Sequence, residues 1–266
     1  MSGGDTYRIF AIRYGHHERR SWENFLGGDS HGVDMPLDYF VWAIVGDLRT
    51  FVLDTGFDRA MATKRGRHIV REVETGLAMI GIDHAAVSDV IISHLHYDHA
   101  GNNHLFPAAT FHIQDAEMEF ATGRCMCHDI MRHPFEVDDV TAMVHRLYCG
   151  RVAFHGQDEV IAPGISVHRT GGHSRGLQVV RVETARGAVV LGSDAAHFYA
   201  NMDRERPFPV LDSVSDALEG VKRMRQLASS RNHIIPGHDP LVCRLYPKAI
   251  DGVDDILRLD LDPIGP

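Results

Sequence analysis

The stretch Val90-Ile-Ile-Ser-His-Leu-His-Tyr-Asp-His-Ala-Gly-Asn102 decides how the rest of this chain is read. Val90–Ile92 is a short apolar, β-branched run and predicts a buried strand. It passes directly into His94-Leu95-His96-Tyr97-Asp98-His99. In extended backbone, residues two apart share a face, so His94 and His96 can grip one ion together. A turn into helix near Asp98 swings Asp98 and His99 toward a neighbouring position. The segment alone is either too little for two ions or too much for one tetrahedral ion.

The remainder of the chain supplies what is missing. His173 lies in Thr170-Gly-Gly-His-Ser174, where two glycines let backbone approach closely. Asp194 follows the apolar run ending at Leu191, and His238 follows Ile235-Pro236-Gly237. Imidazole or carboxylate thus stands at four strand ends, which is how a pocket is built on a rigid scaffold. The chain has 19 histidines in 266 residues, and histidine is the commonest metal ligand. These observations predict a metal cluster of His94, His96, Asp98, His99, His173, Asp194 and His238.

Composition narrows the function further. With 44% hydrophobic residues the chain can bury a sizeable core. A formal charge of −9 argues against a nucleic-acid partner, because phosphate binding needs a basic face. No apolar run is long enough to span a bilayer, and the start of the chain lacks signal-peptide character. Cys125, Cys127, Cys149 and Cys243 form no regular framework and read as reduced thiols of a cytoplasmic protein.

Strand and helix patterns interleave in two comparable halves, 7–114 and 160–235, with a mostly helical insert near 115–155. Tyr7–Tyr14 alternates as a half-buried strand does, and 13–36 reads as a long loop. Tyr39–Val45, Gly46-Asp47 and Arg49–Leu53 read as a hairpin. Asp212–Ser229 reads as a helix with Ser213 and Asp216 at its start and Leu218, Val221, Met224 and Leu227 on one face. The pattern suits a single α/β domain over 1–266, with two sheets packed together and helices outside.

His94 to His99, Gly172-His173, Asp194 and Gly237-His238 resemble the complete ligand set of the metallo-β-lactamase superfamily, and Asp54-Thr55-Gly56 resembles its early D-x-G turn. The resemblance implies a four-layer αβ/βα sandwich of two mixed β-sheets flanked by helices. It implies two divalent ions, zinc first: one on His94, His96 and His173, the other on Asp98, His99 and His238, with Asp194 bridging them. Glu23–Gly27, Pro36–Tyr39 and His94–Asn102 further resemble the N-acyl-homoserine lactone lactonases, which quench quorum signals, and related lactone hydrolases. That implies a small-molecule lactone as substrate and leaves room for a homodimer.

One departure bears on the substrate. Those lactonases carry a tyrosine three residues after the bridging aspartate, where this chain has His197, with Tyr199 two residues further on. A smaller or aromatic lactone therefore fits as well as an acyl-homoserine lactone. The expected substrate contacts are Tyr97, His197, Tyr199 and Arg206, and the expected catalytic groups are Asp98, Asp194, His197 and Tyr199, with Asp194 shuttling the water proton. A hydrolase of another ring or ester, or a catalytically silent metal-binding protein, are the alternatives. Asp58 and Asp239 are read as orienting ligand imidazoles, and Cys125-Met-Cys127-His128 as lacking zinc-knuckle spacing.

Overall fold

A computed structural model describes residues 6–264. The first sheet takes β1 (Arg8–His17), β2 (Leu37–Val45), β3 (Thr50–Leu53), β4 (His68–Ile69), β5 (Asp89–Ile91), β6 (Thr110–Gln114), β7 (Val152–His155) and a late strand near the C-terminus, Ile256–Arg258. The second takes β8 (Glu159–Ala162), β9 (Ile165–Arg169), β10 (Gln178–Thr184), β11 (Gly187–Leu191) and β12 (Ile234–Ile235), in the order β12-β11-β10-β9-β8. Both sheets are mixed: the β3–β5, β5–β6 and β6–β7 pairs are parallel, while β1–β2 and β2–β3 are antiparallel. In the second sheet only the β11–β12 pair is parallel.

The layering follows from alternation along β1 and β2. Ile9, Ala11 and Trp42 point into the core between the sheets, where they meet Ile165, Val180 and Val189. Phe10, Ile12, Val41 and Ala43 point the other way, onto the helices. Those helices include α1 (Arg59–Arg65), α2 (Val73–Met79), α3 (Tyr97–Ala100), α4 (Asp115–Ala121), α5 (Asp129–Arg132) and α6 (Val137–Tyr148). On the far side of the second sheet, Val179 and Val190 pack on Met224 of α8 (Val214–Leu227), which follows the short α7 (Tyr199–Asp203). Helix, sheet, sheet, helix is the four-layer αβ/βα sandwich. Trp42 is fully buried between the sheets, so truncation to Ala would cost about 3–5 kcal/mol.

Some elements differ from the sequence reading. β1 runs on to His17 and is buried on both faces, so its alternation separates two cores rather than core from water. The covering loop accordingly starts at Glu18. Val152–His155, at the end of the region read as helical, is an edge strand paired with β6. Ser213 does cap α8, its Oγ accepting from the Asp216 N–H at 3.3 Å. The buried stripe of that helix, however, is Ala217, Gly220 and Met224. The four cysteines are free thiols. Among the described residues no helix is long and apolar enough to cross a membrane.

Candidate metal centre

β5 delivers the first four donors. Its parallel partners β3 and β6 hold it rigid, and the chain leaves it at Ile92 to enter α3 at Tyr97. His94 and His96 therefore project from extended backbone, and Asp98 and His99 from the first turn of a helix. His173 comes from the β9–β10 loop, Asp194 from the turn after β11, and His238 from the turn after β12. The β9–β10 loop can lie so close because Gly172 (φ 89°) sits on Ala217, where an added Cβ would stand 2.5 Å from the Ala217 nitrogen.

The seven residues converge. His94, His96 and His173 form one group of donors, Asp98, His99 and His238 another, and His94, His99 and Asp194 a third, each with donor atoms within 4.8 Å of one another. Asp194 stands between them. Its Oδ1 faces His238 Nε2 at 2.9 Å and His99 Nε2 at 3.2 Å. Its Oδ2 faces His173 Nε2 at 3.0 Å and His94 Nε2 at 3.8 Å.

The residues around the cluster fix which nitrogen of each ring faces inward. Asp54 Oδ2 lies 2.7 Å from His99 Nδ1, and a carboxylate can only accept, so the proton sits on Nδ1. The Asp38 carbonyl does the same for His238 Nδ1 at 2.9 Å. Both Nε2 lone pairs then point at Asp194. The buried Nε2 atoms of His94 and His99 have no hydrogen-bond partner. Four ring nitrogens crowded around one buried carboxylate, two of them without a hydrogen-bond partner, suit cations placed between them, so the donor set fits metal ions.

Electrostatics agree. Burial raises the Asp194 pKa, but the surrounding His197, His238, His99 and His173 outweigh it and hold the carboxyl well below its usual range. Burial would discharge His99, yet Asp194, Asp98 and Asp54 push its proton affinity well above the ordinary value. His94 and His96 are driven well below theirs, first by burial, and stay neutral donors. The pocket is thus built to stabilise positive charge.

Glu117, fully buried on α4, ties two of the donor loops together. It accepts from the Leu95 N–H at 2.9 Å, the Gly176 N–H at 2.9 Å and the Ser174 hydroxyl at 2.6 Å. Nothing in the sequence pattern distinguishes Glu117 from a solvated helix carboxylate. Glu117→Ala is expected to lower stability by about 3–5 kcal/mol, because three buried donors lose their acceptor. Metal affinity should fall about 10–100-fold. Denaturant unfolding and competition with a chromogenic chelator would check the two effects.

The expected substrate contacts separate into two groups. Tyr97 and His197 line a cavity of about 150 Å³ over the cluster, with Tyr39, Arg19 and Arg67. His197 stacks flat on Phe208 at 3.7 Å and meets Asp194 Oδ2 at 3.1 Å. A second, mostly apolar cavity of about 550 Å³, with Ile130, Met131 and Leu211 in its wall, shares His96 and His173 with the first.

Tyr199 and Arg206 are not there. Tyr199 packs into the hydrophobic core beside Leu245, its backbone N–H donating to Asp239. It begins a helix, and its side chain is therefore directed back into the protein. Arg206 donates to the Leu26 carbonyl at 3.0 Å and to that of Gly28, with its guanidinium over the Phe25 ring, so it fastens the covering loop. Asp58 caps α1 through the Met61 N–H, and Asp239 accepts from the Tyr199 and Leu241 N–H groups. Neither carboxylate orients an imidazole; Asp54 does.

The sequence profile of the metallo-beta-lactamase superfamily matches residues 34–238. The chain belongs to the metallo-beta-lactamase superfamily. Within it, the chain is 32% identical over 179 residues to the N-acyl homoserine lactonase AiiA of Bacillus thuringiensis subsp. kurstaki, covering 65% of this chain and 66% of that one. It is 29% identical over 194 residues to the N-acyl homoserine lactonase AttM of Azorhizobium caulinodans, covering 68% and 70%. The chain thus spans about two thirds of the length of these curated relatives. Among solved structures, a quorum-quenching N-acyl homoserine lactone lactonase superposes with a TM-score of 0.72 at 22% identity, over 89% of this chain and 93% of that one. AidC, a dizinc quorum-quenching lactonase, gives 0.68 at 14% identity, over 89% and 91%. Those likenesses establish the fold of this superfamily member.

Proposed function

We propose that this superfamily member opens a lactone to its hydroxy acid on a pair of divalent ions, zinc first, in one catalytic domain. The observation that carries the reading is the division of Asp194: one carboxylate oxygen faces His99 and His238, the other His94 and His173. A bridging role accounts for both oxygens facing opposite sets of ring nitrogens. The names of the curated relatives, N-acyl homoserine lactonases, support an ester ring as the electrophile.

Ions held there supply a hydroxide at neutral pH and polarise an acyl oxygen. The residues of the chain do the rest. His94, His96 and His173 hold one side of the centre, and Asp98, His99 and His238 the other. With both oxygens of Asp194 engaged, the proton shuttle expected of it passes to Asp98, which turns only Oδ2 toward His99 and His238 and keeps Oδ1 to take the proton and return it to the departing ring oxygen. Asp98 lines the cavity and stands 3.5 Å from His99 Nε2. Tyr97, held by Arg67 Nε at 3.1 Å, offers its hydroxyl to the substrate from the cavity wall, and His197 braces Asp194 from the same side.

A pH-indicator assay of metal-loaded protein on a panel of lactones, thioesters and β-lactams tests the reading. Lactones should be opened at least about tenfold faster, in kcat/KM, than any β-lactam or thioester, about 1.4 kcal/mol of preference. A faster thioester or β-lactam would end the lactone assignment and leave the metal centre untouched.

A further inference from the structure

Three arginines stand over the cluster, and they are not equivalent. Arg65 is spent: its Nε and Nη2 reach Glu136 Oε1 at 3.1 and 2.7 Å. Arg67 and Arg19 have no carboxylate within ion-pair distance among the described residues. Arg67 donates through Nε to the Tyr97 hydroxyl at 3.1 Å and through Nη1 to the Arg65 carbonyl at 2.6 Å, and contacts His17 Nε2 at 3.1 Å. Arg19 donates through Nε to Asn24 Oδ1 at 2.7 Å and through Nη2 to the Glu23 carbonyl at 2.8 Å. Every one of these partners is neutral. Arg67 Nη2 and Arg19 Nη1 keep their protons for something else.

Both guanidiniums are half-buried in the wall of the cavity that holds His96, Asp98 and Asp194. They come from different elements, Arg19 from the start of the covering loop and Arg67 from the turn between α1 and β4, so their convergence is a property of the fold. His17 touches Arg67 and is kept neutral, its pKa lowered to about 4 by burial and then by Arg67 and Arg19. Glu23 and Asp98 act on the two cations only from beyond ion-pair distance, so an anion that meets both guanidiniums directly would complete the set in this concave, partly desolvated wall. The rest of the molecule runs the other way, with a net charge of −9, so this is a local basic site on an acidic protein. A guanidinium pair is suited to a planar carboxylate, which it can meet with parallel N–H donors.

We infer that the substrate carries a carboxylate beside its lactone ring, and that Arg67 and Arg19 bind it. The inference rests on the lactone reading above and names the class of lactone. An acyl-homoserine lactone is neutral and leaves both guanidiniums unmatched. Hydrolysis adds water across the acyl C–O bond, so the ring oxygen becomes the hydroxyl and the product is a hydroxy diacid.

The test uses a γ-butyrolactone bearing a γ-carboxylate and its neutral γ-carboxamide, which have the same shape. The wild-type zinc-loaded protein should open the carboxylate with a kcat/KM at least about tenfold higher. Arg67→Met and Arg19→Met should each lower that ratio severalfold, mainly through KM, with zinc content and circular dichroism retained. Equal use of the two lactones, or a ratio unmoved in both variants, overturns the anion site while lactone opening stands. If neither lactone is opened, the lactone reading has failed and binding decides the anion site. Calorimetry with the open hydroxy diacid should then show at least about tenfold weaker binding to Arg67→Met than to wild type, and equal binding overturns the inference.

Discussion

Asp194→Asn is expected to lower kcat by about three orders of magnitude or more while leaving the far-ultraviolet circular dichroism unchanged. The amide has the same shape as the carboxylate, and the turn after β11 is held by backbone hydrogen bonds such as that from the Ala195 N–H to the Gly192 carbonyl. What is lost is charge and symmetry. Two oxygens now face imidazoles on opposite sides, at 2.9 and 3.2 Å on one and 3.0 Å on the other. An amide offers one acceptor oxygen, and turns an NH₂ group toward the other set of nitrogens, where a cation belongs. The second ion should therefore be lost or loosened, and elemental analysis of the variant should show the loss beside the fall in turnover. Near-normal kcat with full metal content would remove Asp194 from the bridge.

That these seven side chains come together was readable from the sequence because each is anchored to a strand end, and strand ends carry strong local signals. The apolar run of Val90–Ile92 and the glycines beside His173 and His238 mark rigid backbone and close approach. Asp54 was visible only as the first residue of Asp54-Thr55-Gly56; that it orients His99 depends on β3 and β5 pairing side by side. Glu117 carried no signal, since its three partners are distant in sequence and the α4 pattern is that of any amphipathic helix. Tyr199 and Arg206 were misplaced for a related reason. Their nearness to Asp194 in sequence says nothing about direction: a helix begins at Tyr199 and turns the ring into the core, and Arg206 faces the covering loop. Arg19 and Arg67 went unremarked because β1 reaches His17, further than its pattern suggests, which carries Arg19 over the cluster.

The two sheets and their helices were legible in outline because both sheets bury continuous apolar strands. Some short elements were not: β4 has two residues and α9 (Leu241–Leu245) is a single turn, whereas the equally short β12 was marked by its apolar Ile234-Ile235 before Pro236-Gly237. Such elements exist through tertiary packing rather than propensity, as Val242 and Tyr246 buried against the inter-sheet core illustrate.

Removal of metal is the second large effect to expect. Without ions the buried imidazole lone pairs face a carboxylate they cannot all satisfy, so chelated protein should be inactive and less stable. At a thousandfold excess of free metal over Kd, each ion contributes about 4 kcal/mol to the folded state, so the melting temperature should rise on reloading. The most direct test of the account is a titration of metal-free protein with zinc, following lactone opening with a pH indicator. Activity should climb to a plateau at about two equivalents per chain, since seven donors exceed the need of one tetrahedral ion. A plateau at one equivalent, or no lactone opening at any zinc loading, would contradict the dinuclear lactone hydrolase proposed here.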